Sequence, residues 1–312
     1  MKSEQQIDNS LEWINPAGGY GDMILLSGAL KLVHEKYPDR RYNLVRRTAY
    51  QFIFENHPII ASVGHPPEGA VLHTIGQWHT EPVSFGEHRP FQVLARQFGL
   101  ETPVEEKLWL PDVPVDITIL EETLPWTDLN VLISPLSNSP RKAVSYELWE
   151  ELVEKLHDLG AFVAQVGRLW EPCVPGVYSL MGCTTPKQFL SILPRFDLIV
   201  TLDSFISHAA KAVGGRCVAI WGATHYEIFG YPDDHFNLQS NAMCNQEVEN
   251  SCYAPRDPSM ASMAQIYTTP CPMGDKHCTN QVSMETLWET ILKALDSPHP
   301  RDRNQGDGKE NG

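Results

Sequence analysis

Nowhere in its 312 residues does the chain hold the roughly 20 consecutive apolar residues that span a bilayer, which excludes a helical membrane span. The polar segment 1–10 lacks the apolar core of a secretory signal, so a cytoplasmic protein is expected. Basic residues are scarce: 24 Lys and Arg stand against 39 Asp and Glu, a formal charge of −15. That balance excludes a general nucleic-acid binder, whose phosphate contacts need clustered cations. It also argues against tight adsorption to an anionic membrane. No internal repeat is present. The seven cysteines include no Cys-x-x-Cys knuckle, and their odd number suits a reducing compartment better than a disulfide framework. Large apolar residues are missing from 297–312, which predicts a disordered tail.

What is present points to a globular α/β protein. Hydrophobic residues make up 42% of the chain, enough for real cores and incompatible with a coiled coil or collagen-like repeat. The length suggests about two domains. Strand patterns at 11–14, 42–45 and 71–75 surround a helical pattern at 22–34. A Pro- and acid-rich stretch at 103–128 reads as the linker. Beyond it, strands at 131–134, 162–166, 198–202 and 218–221 alternate with helices. Ser145 opens a helix with Leu148, Leu152, Val153 and Leu156 on one face, stopped by Gly160. Thr185-Pro186 opens the next, with Phe189, Leu190 and Leu193. Ser204 opens a third, ending at Gly214-Gly215. The last, 284–295, aligns Leu287, Ile291, Leu292 and Leu295. Such alternation predicts parallel sheets in two Rossmann-like domains facing each other across a cleft. The expected division is 1–126, 127–296 and the tail 297–312.

Three segments carry potential chemistry. Gly18-Gly19-Tyr20-Gly21-Asp22 follows a strand, where glycines allow a sharp turn and close ligand approach. The dinucleotide fingerprint fails, because Ile24 stands where its third glycine belongs. Asp22 is a carboxylate at a helix start, either a first-turn acid favoured by the helix dipole or a group facing the cleft. In the second segment, residues 134–142, small polar residues including Ser137 precede two cations, Arg141 and Lys142. That suits a diphosphate, and equally a solvated loop. The third places Asp203 at a strand end, Ser204 at a helix start and His208 one turn on, with Thr224 after the next strand. This helix start suits an anion and this acid suits sugar hydroxyls; a simple cap and a packed histidine are the structural alternatives.

Together these segments resemble glycosyltransferase family 9, the heptosyltransferase-like enzymes. Residues 21–30 with Tyr37-Pro38 are similar to the family's opening. Arg141-Lys142 ahead of Trp149 resembles its Lys and Trp segment. Leu180-Met181-Gly182 with Thr184-Thr185 resembles its base-side turn. Asp203-Ser204, His208-Ala209-Ala210 and Trp221-Gly222-Ala223-Thr224 resemble its most specific block. The resemblance implies a GT-B fold with an N-terminal acceptor domain and a C-terminal nucleotide-sugar domain. It implies inverting, metal-independent transfer from a nucleoside-diphosphate sugar, usually ADP-heptose, to a hydroxyl acceptor. Carried over by position, Asp22 is the general base beside the Gly18, Gly19, Gly21 turn. Lys142 holds the diphosphate and Asp203 the donor sugar. Ser204, His208 and Thr224 flank the phosphates with Ser137 and Arg141. Glu171 takes the ribose and Met181 lies on the base side. Phe205 departs from the family, which usually has glycine there.

The acidic chain points the acceptor toward a protein, a soluble glycan or a small molecule rather than membrane lipopolysaccharide. Two rival functions remain: a catalytically silent sugar-nucleotide-binding or scaffold domain, and a nucleotide-sugar epimerase. Cys244, Cys252, Cys271 and Cys278 are either free thiols or a structural zinc or iron site stapling a Pro-rich insertion. No cofactor is required for the transfer itself. Cys173, Cys183 and Cys217 are expected to be buried.

Overall fold

The computed structural model describes residues 7–16, 18–47, 49, 51–74, 89–112, 115–137, 139, 142–222, 224–240 and 278–300. The chain divides into two compact units, Met1–Pro114 and Val115–Gly312. No helix among the described residues is long and apolar enough to cross a membrane.

The first unit runs β1 (Trp13–Asn15), α1 (Tyr20–Lys36), β2 (Tyr42–Val45), β3 (Ile60–Gly64), β4 (Leu72–Thr74) and α2 (Pro90–Gln97). Among the described residues its sheet has the order β3-β2-β1-β4, and every pairing is parallel. Trp13 and Ile14 of β1 are fully buried. Helix α1 begins two residues earlier than its apolar pattern and buries every residue from Met23 to Leu30. Its apolar character on all sides matches an element packed into the interior. His57 lies beneath it. The ring donates from Nε2 to the Ser27 carbonyl at 3.0 Å, and Nδ1 accepts from the Ile59 amide. Both nitrogens are thus used by the neutral form, and burial pushes the pKa down to about 4.

The second unit runs α3 (Thr118–Thr123), β5 (Asn130–Ser134), α4 (Tyr146–Asp158), β6 (Phe162–Gln165), β7 (Tyr178–Ser179) and α5 (Pro186–Ile192). It continues with β8 (Leu198–Leu202), α6 (Phe205–Ala212), β9 (Cys217–Trp221), α7 (Tyr226–Phe229), β10 (Phe236–Gln239) and α8 (Met284–Asp296). Its sheet order is β10-β9-β8-β5-β6-β7, again all parallel. The chain moves outward from β5 to β7, then returns to lay β8 against the other side of β5. The carboxyl ends of β5 and β8 therefore flank a topological switch point, where open α/β sheets bind ligands. The core joins Val131, Ile133, Val200 and Val218 of the sheet to Leu152 and Leu156 of α4 and Leu287 and Ile291 of α8.

Several expectations change. The linker stretch contains α3, and Trp126 beyond it packs edge-on against Phe162 and Phe196, tying this segment to the second unit. Ser145 sits at the N-cap of α4, but its hydroxyl makes no cap bond. Leu292 is 40% exposed, because α8 turns Met284, Leu287, Ile291 and Ala294 inward instead. Cys217 in β9 is buried, as expected. Cys173 and Cys183 are exposed, since both lie in the irregular segments that flank β7 rather than in the sheet. Residues 297–300, placed in the expected tail, are described instead, and Arg216 donates to the Ser297 carbonyl at 2.7 Å. Residues 301–312 lie outside the described residues.

Candidate active site

The loop leaving β5 is shaped by a turn in which the Lys142 amide bonds the Ser139 carbonyl at 3.1 Å. Ser139 is itself fully buried. This turn carries the Lys142 side chain to the end of β8. There its ammonium meets Asp203 Oδ2 at 2.7 Å, with 12% and 8% of the two side chains exposed. Thr224, past β9, donates its hydroxyl to the same carboxylate oxygen at 2.5 Å. Ser137 donates to the Asp203 carbonyl at 3.0 Å. Five sequence-predicted residues, Ser137, Lys142, Asp203, Ser204 and Thr224, thus converge at the switch point. Gln239 of β10 locks Thr224 in place through its carbonyl at 3.2 Å. A buried carboxylate needs such partners, since taking its charge out of water is costly without them.

Ser204 is the N-cap of α6. Its Oγ accepts from the Ile206 amide at 3.2 Å and contacts Thr201 Oγ1 at 3.1 Å. The cap thus takes up one of the orphan amides of this helix end. Phe205, the residue that departs from the family, turns its ring edge-on to Phe189 of α5, with centroids 5.8 Å apart. One turn along α6, His208 Nδ1 lies 2.6 Å from the Tyr231 hydroxyl. Tyr231 lies in none of the sequence motifs. Only the turn after α7 brings it to His208. Tyr231 also stacks edge-on against His235, which is buried with neither ring nitrogen hydrogen-bonded among the described residues. Burial pushes the His235 pKa down to about 3.

Glu171 and Met181 form a second cluster, at the carboxyl end of β6. Any side chain at Gly167 would collide with the Glu171 carboxylate and stand 3.5 Å from Met181 Cγ. Met181 is buried, with Sδ 3.4 Å from Gln165 Nε2. Arg168 Nε lies 4.0 Å from Glu171.

In the first unit, Gly18 adopts φ +123°, a conformation that side chains resist. The turn it makes brings Asp22 back over the chain. Asp22 occupies the third helical position of α1, half-buried, and Oδ2 accepts the Gly19 amide at 2.6 Å. Gly21 is buried in the first turn. The acid therefore caps its helix by reaching backward rather than standing at the N-cap itself.

Arg141, Cys244, Cys252 and Cys271 lie outside the described residues. Cys278 is within them, 4% exposed, beside Gly222. Among the described residues, no group of three or more His, Cys, Asp or Glu side chains is placed to hold a metal.

The chain resembles TibC, an iron-containing dodecameric glycosyltransferase from enterotoxigenic E. coli. The TM-score is 0.69 at 16% identity, over 92% of this chain and 79% of that one. It resembles equally a family 9 glycosyl transferase from Veillonella parvula, with a TM-score of 0.69 at 14% identity over 93% and 98% of the two chains. E. coli heptosyltransferase WaaC, solved with ADP, gives 0.57 at 12% identity over 90% and 99%. Likeness at these identities concerns the α/β, GT-B fold. No curated protein sequence matches the chain. The family model for glycosyltransferase family 9 (heptosyltransferase) matches residues 88–259, more than half of the chain and all of the switch-point cluster. The chain belongs to that family and is a glycosyltransferase.

Proposed function

We propose that this enzyme moves a heptose-like sugar from a nucleoside-diphosphate sugar, ADP-heptose or a close relative, to a hydroxyl acceptor. Transfer inverts the anomeric centre and uses no catalytic metal. The observation that carries this reading is the Lys142–Asp203–Thr224 cluster at the switch point of the second sheet. It combines a cation for a leaving diphosphate with a carboxylate for sugar hydroxyls, beside a helix start that favours anions.

In this reading Lys142, with Ser137, Ser204 and Thr224 around it, neutralises charge growing on the diphosphate, and Arg141 adds a second cation. Asp203 accepts hydrogen bonds from the donor sugar. His208 sits one turn behind, Glu171 takes the ribose, and Met181 backs the base. Asp22 removes the acceptor hydroxyl proton as that oxygen attacks the anomeric carbon. The bond from that carbon to the diphosphate breaks, and the nucleoside diphosphate leaves. The second unit is the donor domain and the first unit the acceptor domain, both cytoplasmic. Structures of TibC with ADP-D-β-D-heptose and of WaaC with ADP, which share the fold, support the choice of donor. The acidic surface favours a protein, soluble glycan or small molecule as acceptor. Cys244, Cys252, Cys271 and Cys278 make a structural iron or zinc site in this reading, in line with the iron described for TibC and the burial of Cys278.

The test is release of ADP from ADP-heptose by the full chain, with and without chelator, across an acceptor panel. Acceptor-dependent release that survives chelation supports the reading. Isomerisation of the sugar nucleotide without acceptor would replace it with epimerase activity.

A further inference from the structure

An indole left in water forfeits the burial that makes tryptophan valuable, so its position asks for a reason. Trp13, Trp149 and Trp221 are essentially inaccessible, whereas Trp170 is 78% exposed and its neighbour Leu169 is 75% exposed. Both stand on the loop leaving the carboxyl end of β6, the edge of the sheet where ligands bind.

That loop is fastened at several points. Gln165, fully buried at the end of β6, donates Nε2 to the Pro172 carbonyl at 2.9 Å and accepts from the Val174 amide at 2.8 Å. Leu169 lies against Gly182, 3.1 Å from where a Cβ would stand. The Arg168 guanidinium lies 5.8 Å from the Trp170 ring centroid and reaches Glu171 at 4.0 Å. The Arg168 guanidinium thus reaches both the indole and the Glu171 carboxylate, which leaves an exposed aromatic face one residue from that acid.

We propose that Trp170 is a specificity-determining residue of the donor site, stacking on the nucleobase of the nucleoside diphosphate and favouring a purine over a pyrimidine. This rests on the reading that the second unit binds a nucleoside-diphosphate sugar with its ribose on Glu171. The base is joined to the ribose carbon adjacent to the 2′-hydroxyl. A carboxylate holding that hydroxyl thus sets the base within a few ångströms, the reach of the preceding side chain. Every base offers a π-face, and a purine offers the larger one.

Calorimetric titration of the full chain with ADP, UDP and ribose 5-diphosphate tests this, using wild type, Trp170→Ala and Trp170→Phe. Wild type should bind ADP more tightly than UDP. Trp170→Ala should weaken ADP by about ten-fold or more, and Trp170→Phe should recover most of the loss. Ribose 5-diphosphate, which has no base, should bind all three proteins alike. ADP affinity within about two-fold of wild type in Trp170→Ala overturns the inference. So does an equal loss on ribose 5-diphosphate, or tighter binding of UDP than of ADP. Those results leave the donor site itself standing. A wild-type protein that binds none of the three ligands overturns the donor reading and the inference with it.

Discussion

Asp22 and Gly19 close a ring at the start of α1: the carboxylate Oδ2 accepts the Gly19 amide at 2.6 Å, three residues back. The proposed base thus has a structural task already, and the two roles separate cleanly by substitution. Asp22→Asn keeps an oxygen for the Gly19 amide but cannot take a proton. Its transfer rate should fall on the order of 10²–10⁴-fold, with melting temperature and donor affinity almost unchanged. Asp22→Ala removes the capping oxygen as well and should cost about 1 kcal/mol of stability. Steady-state transfer, nucleotide titration and thermal melts on both variants check this. An Asn variant that transfers at the wild-type rate ends the assignment of Asp22 as base.

Lys142 and Asp203 are almost fully enclosed, so removing either leaves the other charge stranded. Lys142→Ala should therefore lose donor affinity by roughly ten-fold or more and also lower stability by about 3 kcal/mol. Adding Asp203→Asn to that variant should restore part of the stability and none of the donor binding. Chemical unfolding of both singles and the double measures the coupling. Arg141→Ala serves as a control: a larger loss of donor binding there would move the phosphate role to Arg141.

Buried neutral histidines make the fold sensitive to acid. His57 has its pKa pushed from 6.5 to about 4 and His235 from 6.5 to about 3, both by burial. Below pH 6.5 the unfolded chain takes up protons at these positions that the folded chain refuses. Stability is therefore full above about pH 6.5 and falls as pH drops toward 4. The His57 shift alone corresponds to about 3 kcal/mol by pH 4. Urea unfolding between pH 7.5 and 4.5 should show this slope, and His57→Phe should flatten it. An unchanged slope in that variant would falsify the assignment to His57.

The four-thiolate site predicts about one iron or zinc per purified chain, lost in Cys278→Ser. Elemental analysis with thiol titration under denaturation decides it. A metal-free protein with seven freely titrating thiols excludes the site. Chelation gentle enough to leave that metal bound should not slow transfer.

Where one face of an element is buried over several turns, the sequence displays it. The Leu148, Leu152, Val153, Leu156 stripe of α4 is buried as its spacing requires, and the β8–Asp203–Ser204–α6 junction falls where strand and cap signals meet. Elements too short for a period did not announce themselves: β7 has two residues and α7 four. Strand β10 carries a half-buried pattern at the sheet edge, which resembles a loop in sequence. At the site, residue types were legible but pairings were not. Nothing in the sequence joins Lys142 to Asp203, or Tyr231 to His208, because sheet order decides the first pair and the turn after α7 the second. The exposure of Cys173 and Cys183 likewise depends on irregular segments whose side-chain direction no periodicity records.

The Lys142–Asp203 contact also bears on which ligands can stay. Under the proposed roles, an arriving donor substitutes for both partners at once: its diphosphate takes the ammonium while its sugar hydroxyls occupy the carboxylate. After transfer the sugar is gone, and the nucleoside diphosphate alone must compete with Asp203 for the same lysine. The pair thus acts as an internal rival of the product and hastens its departure. Asp203→Asn should retain ADP more tightly than wild type even as it binds the intact donor more weakly, an inversion that paired titrations would detect.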